Sequence, residues 1–179
     1  MTGVGSVYGE ALYDLARSEA LEDQILSQIT VLDESFRQEP QFLRLLAAPS
    51  LSKEERCAVL DRSFREKVHP YVLNFLKILT EKGYIRQFPG CCEAYRSFYN
   101  EANGILVVKA VSAVALSAAQ TEKLTAKLEA TTGKQIDLQC TVDPAVLGGL
   151  RLSYSGMLMD GTVKNRLDAI SKLLKNTVL

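Results

Sequence analysis

At 179 residues, with 47% apolar and 23% charged side chains, the chain can build one ample core or two modest ones and is composed like an ordinary globular protein, which excludes a disordered chain. Lys plus Arg and Asp plus Glu both total 21, so no overall field draws it to a polyanion. Residues 1–104 hold 15 acids against 12 bases and residues 105–179 hold 6 against 9, a mild polarity too small to mark a nucleic-acid or membrane surface.

The first residues, MTGVGSVYGEALYDLA, lack the basic start and apolar stretch of a signal peptide and carry acids that a transit peptide avoids, so an untargeted product is expected. Val4, Val7, Tyr8, Ala11, Leu12, Leu15 and Ala16 recur at steps of three and four, one stripe of a first helix. Ile25, Ile29, Leu32 and Phe36 form the stripe of a second, which Pro40 ends. A short third helix runs through Phe42 to Leu46 and stops before Pro49.

Ser52 with Glu55 three residues on is a capping box, so a fourth helix starts there and runs to about Phe64. Pro70 opens a fifth, with Val72, Leu73, Leu76 and Leu79 apolar and Gly83 placed to end it. The sixth is expected from about Arg86 to Gly104. Six short helices with tight connections, none long enough to stand alone, predict a compact bundle over residues 1–104.

The period then changes. Ile105 to Ser112 is rich in β-branched residues and reads as a strand. Ser117 and Gln120 form a second capping box, opening a helix that Leu124 and Leu128 continue and Gly133 ends. Another strand covers about Gln135 to Val142, and a third Leu150 to Tyr154 after the pair Gly148 and Gly149. A hairpin-like Gly156 and the turn dipeptide Asp160 and Gly161 follow, then a last helix with Val163, Leu167, Ile170 and Leu174 on one face. Residues 105–179 are thus a small α/β domain attached to a helical first half: the fold class is mainly α with a smaller α/β part.

Catalytic chemistry finds no constellation. The single His69 stands beside Pro70 with no nucleophile motif around it and reads as an exposed loop histidine. Gly148 and Gly149 lack the lysine and hydroxyl of a phosphate loop and read as a backbone requirement at the entry to a strand. Asp143 and Asp160 could be an acid and base pair, but each stands at a turn, where Asp bonds locally. Cys57, Cys91, Cys92 and Cys140 have no zinc spacing, and adjacent helical positions such as 91 and 92 point about a hundred degrees apart. No cofactor and no metal are expected. Lys164, Arg166, Lys172 and Lys175 on the final helix either attract an acidic partner or, for the last two, complement the helix C-terminus.

Several stretches resemble a known family. YGEALYDLA is similar to the first-helix motif of the ATP synthase delta subunit family, related to the mitochondrial oligomycin-sensitivity-conferring protein, and NFLKILTEKGYI to its fifth-helix segment. VSAVALSAAQTEKL, VDPAVLGGLRL and DGTVKNRLDAI resemble three further family blocks in the right order and spacing. Gly83, Tyr84 and Ile85 stand where the family often has a more basic turn, and Thr162 where serine is frequent.

The resemblance implies a non-catalytic stator connector of the rotary ATP synthase, one copy per complex, peripheral to the membrane without inserting in it; between a bacterial and an organellar source, the untargeted start favours the cytoplasmic face of a bacterial cell membrane. The resemblance also implies that the helical domain binds N-terminal helices of the alpha subunit, and that the α/β domain grips the C-terminus of the b-subunit stalk. First and fifth helices are the implicated surface, so Tyr8, Ala11, Leu12, Leu15, Ile78 and Leu79 are candidate groove contacts, each with core packing as the other reading. Lys164 and Arg166 are the candidates toward the stalk. A helical nucleic-acid-binding protein with an appended α/β module is the rival, opposed by the zero net charge, and an unrecognised enzyme is the third reading.

Overall fold

The computed structural model describes residues 3–146, 148–154 and 157–160. The chain divides into two compact units, Met1–Tyr99 and Asn100–Leu179, a few residues before the boundary expected at Gly104.

The first unit holds α1 (Val4–Ser18), α2 (Glu22–Gln38), α3 (Pro40–Leu46), α4 (Lys53–Phe64), α5 (Pro70–Glu81) and most of α6 (Phe88–Ala102). Pro40 both closes the second apolar stripe and opens α3, because the first turn of a helix has no use for the missing N–H. Ser52 and Glu55 close their box at α4, with Ser52 Oγ accepting from Glu55 N at 3.1 Å and Glu55 Oε2 accepting from Ser52 N at 2.8 Å. Arg86 is not in the sixth helix. It lies in a 3-10 turn, Ile85–Gln87, and α6 starts at Phe88, with Pro89 in its first turn.

The core of this unit is aromatic at its centre. Phe36 stacks on Phe42 at 5.6 Å between ring centroids and meets Phe88 edge-on at 5.3 Å, while Phe64 closes on both Phe36 and Phe42. Tyr13 on α1 meets Tyr95 edge-on at 5.5 Å, and the buried Tyr95 hydroxyl donates to the Glu22 carbonyl at 3.0 Å, so its polar end is satisfied. Between α1 and α6 the approach is closer than side chains permit. A Cβ on Gly9 would fall 2.5 Å from the Cys91 carbonyl oxygen and 2.7 Å from Ala94 Cβ. Only glycine fits there.

In the second unit β1 (Ile105–Ser112), α7 (Ala118–Thr132), β2 (Gln135–Val142), β3 (Leu150–Tyr154) and β4 (Met157–Asp160) form a sheet of order β2-β1-β3-β4 with its helix. β1 and β2 are parallel, Ile105 facing Gln135, and α7 is the crossover that parallel pairing requires. β3 runs antiparallel to both β1 and β4. Ser117 and Gln120 cap α7 as expected, and Gly133 ends it at φ +65, a conformation that costs glycine nothing. The hydrophobic side of β1 is sealed, Val108 and Ala110 being fully buried.

The sequence pattern assigned no element to Met157–Met159, between the hairpin-like Gly156 and the turn dipeptide that begins at Asp160, but Met157–Asp160 is a strand, paired Tyr154 to Met157 and Leu152 to Met159. Met-Leu-Met-Asp has no β-branched residue to announce it, and its extended form comes from the neighbouring ladder. The last helix expected from Val163 onward lies outside the described residues.

Candidate partner-binding surfaces

The candidate groove residues divide by burial. Leu12 and Leu79 belong to the core, Leu79 at 0% exposure, so neither offers a surface to a partner. On a helix with one buried stripe, positions one step inside its edge go to the core first. Ala11 and Leu15 face outward, Ile78 is exposed at the edge of α5, and Tyr8 is half-buried.

What the structure adds is continuity. Val4, Val7, Ala11 and Leu15 are all exposed, Val7 at 60%, and their steps of three and four draw one apolar line along the outer face of α1. Tyr8 lies beside that line and its ring meets Tyr84 at 6.0 Å. Tyr84 sits just beyond the C-terminus of α5 and is itself exposed, so α1 and the end of α5 share an aromatic contact. Val4, Val7 and Tyr84 were not among the candidates. Val4 and Val7 were already in the first-helix stripe, but periodicity alone does not say which side of a broad stripe faces solvent, and Tyr84 lies outside any helical pattern.

Lys164 and Arg166 lie outside the described residues. His69 is not the free loop histidine expected. Half-buried, it caps α5, its Nδ1 accepting from Tyr71 N at 3.3 Å while its own N–H donates to Gln28 Oε1 at 2.7 Å. That leaves its ring committed to holding a helix end.

Asp143 is a turn residue, its carboxylate accepting from Ala145 N at 2.9 Å and its carbonyl accepting from Val146 N at 3.0 Å. Asp160 ends β4 with its carboxylate 3.8 Å from Arg151 Nε. Gly148 and Gly149 both take positive φ, +119 and +87, as the entry to β3 demands. The buried Cys92 thiol donates to the Ile29 carbonyl at 3.7 Å, and burial pushes the Cys91 thiol up to about 11. Neither cysteine supplies a thiolate at neutral pH.

With no reactive cluster among these groups, the exposed apolar line is the feature that calls for a partner, and similarity to known proteins names the setting. The model of the family described as ATP synthase delta (OSCP) subunit matches residues 4–174. This chain belongs to that family.

The match extends to individual relatives. The chain is 34% identical to the ATP synthase subunit delta of Alkaliphilus oremlandii, covering 96% of this chain and 97% of the relative. It is 31% identical to that of Lachnoclostridium phytofermentans, covering 96% and 94%. In fold it resembles a chain of the Toxoplasma gondii mitochondrial ATP synthase hexamer, at TM-score 0.75 and 18% identity over 97% of this chain and 98% of that one. A chain of the Polytomella F-ATP synthase is similar at TM-score 0.51 over 55% of this chain and 88% of that one, with 15% identity. As a member of the delta (OSCP) family the chain is a non-catalytic subunit of ATP synthase and a component of its peripheral stalk. Nothing in these likenesses points to nucleic acid. No helix among the described residues is long and apolar enough to cross a membrane.

Proposed function

We propose that the helical unit, residues 1–104, seats an amphipathic N-terminal helix of the ATP synthase alpha subunit on the outer face of α1, and that residues 105–179 hold the C-terminal end of the b-subunit stalk. One copy then joins the catalytic head to the stalk on the cytoplasmic face of the bacterial membrane, so that rotor torque changes the catalytic sites instead of turning the head.

The observation that carries this reading is the line Val4, Val7, Ala11 and Leu15 beside the Tyr8 and Tyr84 pair. A helix laid in a groove contributes anchors every three or four residues, which is the spacing this face offers in return. Exposed valine and leucine repeated on one side of one helix are more than scattered surface apolarity. Family membership supplies the kind of partner, since an ATP synthase subunit docks on other subunits of the same complex.

The test is titration of an alpha-subunit N-terminal peptide into the full chain and into Val7→Asp and Leu15→Asp variants. Both side chains are exposed, so the fold is retained and far-ultraviolet circular dichroism checks that it is. A buried anchor in a protein interface is worth ~2 kcal/mol or more, so each variant should lose about thirtyfold or more in affinity. Unchanged affinity in both folded variants would remove α1 as the seat.

A further inference from the structure

Sulfur is distributed unevenly between the two units. Cys91 and Cys92 are buried in the helical core, and Cys57 is half-buried with its thiol against Glu81 Oε1 at 3.7 Å. Burial, followed by the charge of Glu81, holds the Cys57 thiol above its ordinary value.

The α/β unit is the opposite case. Cys140 is exposed and free, Met157 is 55% exposed and Met159 is 56% exposed. The chain has three methionines, and the other, Met1, lies outside the described residues. Met157 and Met159 stand on one side of β4 at one edge of the sheet, whereas Cys140 lies on β2 at the other edge, with β1 and β3 between them and the intervening Ala110 fully buried. Cys140 faces Ala110, Ala110 faces Leu152, and Leu152 faces Met159, while Met157 stands two residues away on the same side of β4 and faces Tyr154.

We propose that β4 is an oxidation site, at which a two-electron peroxide oxidant converts the exposed Met157 and Met159 thioethers to sulfoxides. In each methionine step a sulfur lone pair takes one oxygen from the peroxide. The O–O bond breaks, sulfur is oxidised by two electrons, and the departing hydroxide takes the remaining proton and leaves as water. Two strongly polar sulfoxides then replace two thioethers on an edge strand that shares its side with Leu152 and Tyr154. Because methionine sulfoxide is enzymatically reducible, the surface has an apolar and a polar state that interconvert.

The experiment uses the full chain with dilute hydrogen peroxide, peptide mapping by mass, and retention on a hydrophobic-interaction column. A Met157→Leu, Met159→Leu variant keeps the apolar side chains and removes the thioethers. The expected result is early addition of one oxygen to each of Met157 and Met159, with Cys57, Cys91 and Cys92 unmodified, and earlier elution of the treated parent but not of the treated variant. Oxygen appearing first on the helical-unit cysteines, or Met157 and Met159 staying unmodified, overturns the site. Treated parent and treated variant shifting alike in retention overturns the change of surface character.

Discussion

The close approach of α1 and α6 at Gly9 gives the sharpest prediction. In Gly9→Ala the new Cβ would stand 2.5 Å from the Cys91 carbonyl oxygen, 2.7 Å from Ala94 Cβ and 3.1 Å from Tyr95 N. Two of these atoms are main chain of α6 and none is the movable end of a long side chain, so the strain falls on the helix pair. Alanine gains ~1 kcal/mol over glycine in a helix interior. Overpacking a close-packed site costs ~1–3 kcal/mol or more, and contacts this short belong at the upper end.

The net expectation for Gly9→Ala is a loss of about 1–2 kcal/mol, or a fall in melting temperature of roughly 4–16 °C at ~4–8 °C per kcal/mol for a domain of this size. Gly90→Ala is the control, since a Cβ there meets nothing within 4 Å, so it should be neutral or stabilising by up to ~1 kcal/mol. Urea unfolding followed by helical circular dichroism reads both. If Gly9→Ala matches the parent in midpoint and slope, the close approach of α1 and α6 is not what the structure states.

Three further outcomes are expected. His69→Ala should lower stability by ~1 kcal/mol through loss of the α5 cap while His69→Asn retains most of it, read by thermal unfolding near neutral pH. Cys91 has a folded value raised to about 11 from 9.0, so the folded state holds the proton more tightly than the unfolded one. Its contribution to stability is complete below pH 9 and declines from pH 9 through 11, and Cys91→Ala should flatten that decline in urea titrations across the same window. Finally, Lys164→Glu with Arg166→Glu should slow association with a surface-immobilised b-subunit stalk peptide at low salt and converge with the parent at high salt. Equal association rates at low salt would remove charge steering.

Much of the fold was legible because its punctuation is chemical. Ser52 and Glu55, Ser117 and Gln120, Pro70 and Gly133 each act through a local bond or a dihedral preference that no distant contact overrides, and all stand where the pattern put them. The β-branched run Ile105–Ser112 needed no more than its own composition. The misses were decided at longer range. Met157–Asp160 is extended because β3 lies alongside, and His69 is ordered because Gln28, 41 residues earlier in the chain, accepts its amide proton.

The binding surface was half legible for a related reason. Spacing identified α1 and α5 as having broad apolar faces, and then Leu12 and Leu79 went inside while Val4 and Val7 stayed out. Which flank of a stripe turns inward depends on where the neighbouring helix lies, here the α6 backbone admitted by Gly9. Tyr84 joins the face by a ring contact to Tyr8 across 76 residues of chain, beyond any local rule.

The order of strands also bears on synthesis. β1 is the first strand to leave the ribosome, yet it sits inside the sheet, and both strands that flank it are made later. Its parallel partner begins at Gln135, 30 residues after Ile105. At ~5–20 residues per second, the nascent segment Ile-Leu-Val-Val-Lys-Ala-Val-Ser waits several seconds, with unpaired amides and a β-branched apolar side, before the first ladder can close. Lys109 is the one charge within it, and a charge set inside an apolar strand opposes pairing between neighbouring chains even before the finished sheet exists.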